Sequence, residues 1–136
     1  MIYFGRFVPY KGLDLVLEAV ENAIAQGARI RLTLVGSGEC LASLREQSKS
    51  SALNSAVTFL PPVTYGPQLF ELIDRADVAI AAPKAEDTPR AALDAMARGL
   101  PILAFDIDYF RNLAEKSGAV ALAQWPLSTS LAEQLD

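Results

Sequence analysis

Two acidic residues with seven residues between them, Glu86 and Asp94, flank the start of a helical pattern that opens Thr88-Pro89-Arg90-Ala91. Ionised carboxylates accept hydrogen bonds from hydroxyl groups. A helix start leaves unpaired N–H groups and a partial positive charge facing outward, a combination that attracts phosphate. Thr88 is expected to cap that helix and Pro89 to fill its first position. Asp94 then falls about two turns inside. Near the chain start, Gly5-Arg6-Phe7-Val8-Pro9-Tyr10-Lys11-Gly12 supplies two more anion-binding groups. Gly5 permits an unusual backbone turn, Arg6 offers a bidentate fork and Lys11 a point charge. Two cations on one loop suit a diphosphate. The whole set could hold a ligand that is phosphate in the middle and rich in hydroxyls at both ends, as a nucleotide-sugar is.

Each piece has a plainer alternative. Arg6, Lys11 and Arg90 could be solvated surface charges. Glu86 and Asp94 could be acids favoured near a helix start. Gly36-Ser37-Gly38-Glu39-Cys40-Leu41 partly matches the dinucleotide fingerprint G-x-G-x-x-G, but Leu41 replaces the third glycine and the motif follows the second strand. A strand-to-helix turn bringing Gly36 and Ser37 near a ligand fits it better. Asp106-Ile107-Asp108 has the form of a D-x-D metal motif, yet offers two ligands only, and Asp108 could cap the helix beginning there. No metal and no other cofactor is expected.

These residues need a scaffold that brings distant loops together. Ile2–Phe4 is strand-like, and Leu13–Ala25 carries apolar residues at helical spacing. The alternation continues with a strand over 29–35, a helix over 39–49, a loop over 48–55, a strand over 57–60 and a helix over 67–75. It ends with strands over 78–82, 102–105 and 119–122 and helices over 89–98, 108–116 and 126–135. Alternating strands and helices joined by short loops predict an α/β, Rossmann-like, doubly wound and mostly parallel sheet of about six strands, with helices on both faces. Ligands in such sheets sit beyond the carboxyl ends of the strands. The loops after the first, second and fourth strands hold Gly5–Lys11, Gly36-Ser37 and Glu86–Arg90, so the interesting residues share one edge.

At 136 residues the chain fits one domain, 1–136. A 51% hydrophobic and 21% charged composition supports a packed core. A net charge of −4 argues against nucleic acid as a partner and against an anionic membrane surface. The sequence contains no histidine, which removes Ser-His-Asp catalysis and the commonest zinc ligand. Cys40 is the sole cysteine, so it forms no internal disulfide and lacks a histidine to activate it. A cytoplasmic setting is favoured, and no leader or apolar run of membrane-spanning length is visible. A strand-like start at Ile2 and a helical pattern still running at the chain end are expected of a piece of a longer protein.

In order, these segments resemble the carboxyl-terminal domain of retaining glycosyltransferases of the GT-B fold, specifically glycosyltransferase family 4 (group 1), over nearly the whole chain. Gly5-Arg6-x4-Lys11-Gly12 is similar to the family's diphosphate loop. Val35-Gly36-Ser37-Gly38 is similar to its second-strand turn. Glu86-x7-Asp94 followed by Ala95-Met96-Ala97-x-Gly99-x-Pro101 is similar to its paired-acid signature. The resemblance implies a nucleotide-diphosphate sugar donor as co-substrate, with hexosyl transfer in polysaccharide or glycolipid assembly. Arg6 and Lys11 would neutralise the diphosphate and, with Glu86, carry the catalytic role. The N–H groups of Arg90 and Ala91, beside Thr88 and Pro89, would cradle the distal phosphate. Glu86 would meet the donor sugar, Asp94 the ribose, and the strand-end segment Leu60-Pro61-Pro62-Val63 the base. An amino-terminal acceptor domain, absent here, would complete the cleft and make any peripheral membrane contact, and the domain alone would be inactive. The chain departs from the pattern where Asp94 replaces the usual Glu and Asp87 a common glycine. It departs again where Pro61 stands at a frequent glycine and Ile107-Asp108-Tyr109 at a frequent Gly-Gly turn. Two other functions remain open on the residues alone: an NAD- or nucleotide-binding domain of a dehydrogenase, and a non-catalytic doubly wound interaction domain.

Overall fold

Successive strand residues point to opposite faces of a sheet, and this chain uses that period to build two cores. In the computed structural model, which describes residues 1–124 and 128–135, Tyr3, Leu34, Ile80, Leu103 and Phe105 enter one buried cluster. Their neighbours Ile2, Val35, Ala79, Ile102 and Ala104 enter the other. The strands are β1 (Ile2–Arg6), β2 (Leu32–Ser37), β3 (Val57–Leu60), β4 (Ala79–Ala81), β5 (Ile102–Phe105) and β6 (Val120–Ala123). All pair in parallel, in the order β3-β2-β1-β4-β5-β6. Strands buried on both faces read as apolar runs, as Ile102–Phe105 does.

The helices are α1 (Leu13–Ala25), α2 (Leu41–Gln47), α3 (Ser51–Asn54), α4 (Pro67–Asp74), α5 (Arg90–Ala97), α6 (Asp108–Ser117) and α7 (Ser128–Leu135). α1, α2, α3 and α7 supply Val16, Leu17, Leu44, Leu53 and Leu131 to the first core. α4, α5 and α6 supply Leu69, Ile73, Ala92, Ala95 and Phe110 to the second. Among the described residues no helix is long and apolar enough to cross a membrane. The doubly wound α/β fold expected from the sequence is the fold observed, with every strand pairing parallel.

Several boundaries differ from the sequence reading, each for a physical reason. β2 starts at Leu32, not Arg29, because a strand exists only where a neighbour bonds to it. The ladder begins with Ile2 opposite Thr33 and Leu32 opposite Val57. β4 is shorter than 78–82 and β6 ends one residue later than expected, at Ala123 opposite Phe105. α2 begins at Leu41. The loop expected over 48–55 contains the short helix α3, whose first turn is closed by Ser50 Oγ accepting from the Leu53 N–H at 3.4 Å. The last helix was expected from Pro126, which lies outside the described residues.

The start of α5 also departs from expectation. Pro89 is the capping residue, extended at φ −68° and ψ 118°, and no side chain caps the helix. Thr88 therefore lies outside the helix and does not cap it. Pro89 turns its carbonyl to the Ala92 N–H and the Tyr109 hydroxyl, both at 3.2 Å. Asp108 does not cap α6 either; Ile107 holds that position, and Asp108 is the first residue of the helix.

Sheet order reverses direction between β1 and β4. From β1 the chain winds outward to β2 and β3, then returns to β4 and winds the other way. The loops leaving β1 and β4 diverge at this switch point and open a crevice, the place where ligands bind in open α/β sheets.

Candidate functional site

The loop after β1 is pinned to the loop after β4. Gly12 adopts φ +66°, and a Cβ there would fall 1.9 Å from the Ala82 carbonyl oxygen. Only glycine permits so close an approach of the two backbones. The Lys84 N–H donates to the Tyr10 carbonyl at 2.6 Å, and the Lys84 ammonium pairs with Asp14 at 2.6 Å. On the other side, the Tyr3 hydroxyl donates to the Arg6 carbonyl at 2.8 Å. Burial first, then the negative charge of Asp87, pushes the Tyr3 phenol well above the usual tyrosine range, so it stays a neutral donor.

Between these loops lies a hollow of about 370 Å³. Arg6 and Lys11 line it from one side, and Thr88, Pro89, Arg90 and Ala91 from the other. The N–H groups of Arg90 and Ala91 begin α5 and lack intrahelical acceptors. Both cations and the helix start therefore face one space. The Arg6 guanidinium donates to the Tyr10 hydroxyl at 3.0 Å, a neutral partner. Lys11 is held differently: its ammonium pairs with the Asp87 carboxylate and lies 5.1 Å from the Tyr10 ring centre.

Two further hollows adjoin the first. One, about 300 Å³, shares Gly5 and Arg6 with it and extends past Gly36 and Ser37 to Pro62, Val63 and Leu69. Leu60 and Pro61 stand just behind Pro62, at the end of β3 and beyond it, and do not line this hollow. The other, about 510 Å³, shares Asp87 and Thr88 and is closed by Glu86, Asp108, Tyr109 and Asn112. The Glu86 carboxylate accepts from the Asp108 N–H at 3.3 Å, tying the two loops together. Asp94 lines none of the three. It sits in the second turn of α5 and accepts from the Tyr65 hydroxyl at 3.2 Å. The two acids thus lie apart, Glu86 toward α6 and Asp94 toward the loop before α4.

Asp106 and Asp108 are drawn onto Arg111, whose guanidinium donates to Asp106 at 2.9 Å and to Asp108 at 2.8 Å. A single cation from α6 thus offsets part of their charge. A larger hollow, about 880 Å³, lies at the opposite edge between Arg31, Asp77, Pro101 and Gly118. It collects residues before the strands, away from the edge that binds ligands in such sheets, and none of the expected site residues borders it.

Sequence reasoning missed Asp87 as the partner of Lys11, and it missed Tyr3, Tyr10 and Tyr65. The only sequence signal for Asp87 was its charge beside Glu86; the pairing spans 76 positions. Cys40, just before α2, has its thiol pushed up by burial first and then by Glu39 and Asp14, against Lys84. A raised pKa leaves less thiolate at neutral pH. Alkylation by iodoacetamide at pH 7.5 is therefore expected to run slower than that of a free cysteine peptide. Its rate is expected to keep climbing above the ordinary thiol range near about 8.5. A rate equal to the peptide's would contradict the assignment.

The profile of the family described as "Glycosyl transferases group 1" matches residues 1–135. The chain is 32% identical over 120 residues to the GDP-mannose:cellobiosyl-diphosphopolyprenol alpha-mannosyltransferase of Xanthomonas campestris, covering 87% of this chain and 31% of that protein. It is 33% identical over 121 residues to the D-inositol 3-phosphate glycosyltransferase of Geodermatophilus obscurus, covering 82% of this chain and 27% of that one. It thus spans about three tenths of the length of these relatives. Among solved structures, Anabaena HepE in complex with UDP-glucose superposes with a TM-score of 0.82 at 24% identity, over 98% of this chain and 37% of HepE. That likeness shows the fold. These matches are to glycosyl transferases and give the NAD alternative no support, so it is not carried further. With the profile running from the first residue of the chain to the last but one, this protein belongs to the group 1 glycosyl transferases.

Proposed function

We propose that this chain is the donor-binding, carboxyl-terminal domain of a retaining GT-B glycosyltransferase of family 4. The observation that carries the reading is the convergence of Arg6, Lys11 and the start of α5 on one hollow at the switch point of the sheet. A diphosphate placed there meets two cations and two free N–H groups. Preorganised positive charge aimed where negative charge develops is the strongest form of electrostatic catalysis. Here it stabilises the departing nucleoside diphosphate without a metal ion. The hollow past Gly36 and Ser37 toward Val63 takes the nucleoside. The acid-lined hollow at Glu86 takes the hydroxyls of the donor sugar. Asp94 approaches the ribose from the far side, where Tyr65 now occupies it. GDP-mannose in the name of one relative and UDP-glucose in the complex of a solved neighbour support a nucleoside-diphosphate hexose as the donor. The acceptor and the opposing wall of the cleft belong to a further domain.

The test is a thermal-shift panel of UDP, GDP, ADP, their hexose conjugates and NAD. A ligand at 100 times its Kd stabilises the native state by about 2.7 kcal/mol. At least one nucleoside diphosphate or its sugar is expected to raise the melting temperature, and NAD is not. A flat response to every nucleotide, with an unaltered protein partner after Glu86→Ala, would instead identify a non-catalytic interaction domain.

A further inference from the structure

We propose that the Asp87 carboxylate is a built-in competitor for the donor's phosphate, occupying Lys11 until the donor displaces it and reclaiming Lys11 when the nucleoside diphosphate leaves. This rests on the reading above that Lys11 meets the diphosphate. The two side chains bond directly, and both are largely enclosed, at 15% and 16% exposure. Asp87 also turns its second oxygen to the Thr88 N–H at 2.9 Å, just ahead of α5. One oxygen thus takes the ammonium and the other a backbone N–H, the two kinds of contact that a phosphate in this hollow would seek. The carboxylate stands where a ligand anion would stand.

The neighbouring charges support this assignment. Arg6, the other cation, donates to a neutral hydroxyl and keeps its full charge for a ligand. Glu86 is engaged by the Asp108 N–H and Asp14 by Lys84, so neither takes Lys11. Asp87 borders both the central hollow and the Glu86 hollow. When phosphate takes Lys11, the freed carboxylate has open space on the Glu86 side. It remains beside the bound anion, and like charges at close range repel. Breaking a part-buried ion pair and accepting that repulsion both weaken donor binding and speed product release. No bond is made or broken covalently; the exchange is of ionic partners.

The test compares UDP and GDP binding by calorimetry in the wild-type chain, Asp87→Asn and Asp87→Ser, with a thermal melt of each ligand-free protein. Asn keeps the shape and an acceptor for the Thr88 N–H but removes the competing charge. We expect Kd to fall roughly tenfold, mainly through slower dissociation, as is usual when close charge pairs at an interface are altered. The ligand-free variant is expected to melt lower than wild type because Lys11 has lost its ionic partner. Opposite signs for affinity and stability are what a purely structural Asp87 cannot produce. If both affinity and melting temperature fall, or if affinity is unchanged, the proposal is overturned while the glycosyltransferase reading stands. If wild type binds neither nucleotide but Asp87→Asn does, the competitor role is supported in its strongest form. If none of the proteins binds, both readings fall together. Asp87→Ser serves where the Asn variant does not fold.

Discussion

Lys11→Met is expected to weaken nucleoside diphosphate binding by about a hundredfold, the largest single effect on affinity in this protein. A charge-assisted contact contributes roughly 1.5–3 kcal/mol, which by itself is a factor of about ten to over a hundred. Two features place Lys11 at the upper end. It is largely enclosed, so solvent screens it little. Its removal also strands the Asp87 carboxylate, unpaired, against the space the phosphate enters. Arg6→Ala is expected to cost less, because Arg6 is exposed and its partner is neutral. Calorimetric titration with UDP and GDP measures both. The double variant Lys11→Met/Asp87→Asn should recover part of the loss, since the stranded charge is gone. Unchanged affinity in both single variants would mean that the phosphate loop is wrongly assigned.

The second large effect concerns stability. Gly36 sits directly opposite Gly5 where β1 and β2 run side by side, at φ +148°. A Cβ there would lie 1.9 Å from the Gly5 carbonyl oxygen and 3.2 Å from the Phe7 ring. Neither neighbour yields readily: one is backbone within the ladder, and the other is a fully enclosed ring of the first core. Gly36→Ala must therefore separate the strands that carry two of the site loops. Backbone strain plus lost packing is expected to cost roughly 3 kcal/mol or more. For a domain of this size the melting temperature would fall by about 10 °C. Gly27→Ala is the control, because Gly27 also has positive φ but nothing within 4 Å of the added methyl. Its cost is the conformational term alone, about 1–2 kcal/mol. Equal losses in the two variants, followed by circular dichroism on heating, would show that close packing is not what Gly36 provides.

Local elements were read well where one interaction dominates. The bounds of α1 match the sequence reading because apolar residues recur at helical spacing and Gly27 follows closely. β5 matches because four apolar residues lie between Pro101 and a polar turn. Boundaries failed where the deciding partner was distant. The start of β2 depends on where β1 and β3 can bond to it, and the start of α5 depends on Pro89 turning its carbonyl to Tyr109. At the candidate site, the placing of Arg6, Lys11 and Arg90 on one sheet edge was legible, since loop position follows from the alternation of strands and helices. Their partners were not.

The sequence alone determined the parallel α/β class, the edge of the sheet that carries the loops, and the ordered motifs of the group 1 glycosyl transferases. Periodicity and turn chemistry report on neighbours a few positions away, and these are short-range properties. The tertiary structure decided that β1 lies beside β4, so that Lys11 and Asp87 meet across 76 positions while Asp94 turns aside to Tyr65. Strand order is chosen by burying both faces of the whole sheet at once, and ion pairing follows from the distances that packing leaves. Neither is encoded in any single stretch of chain.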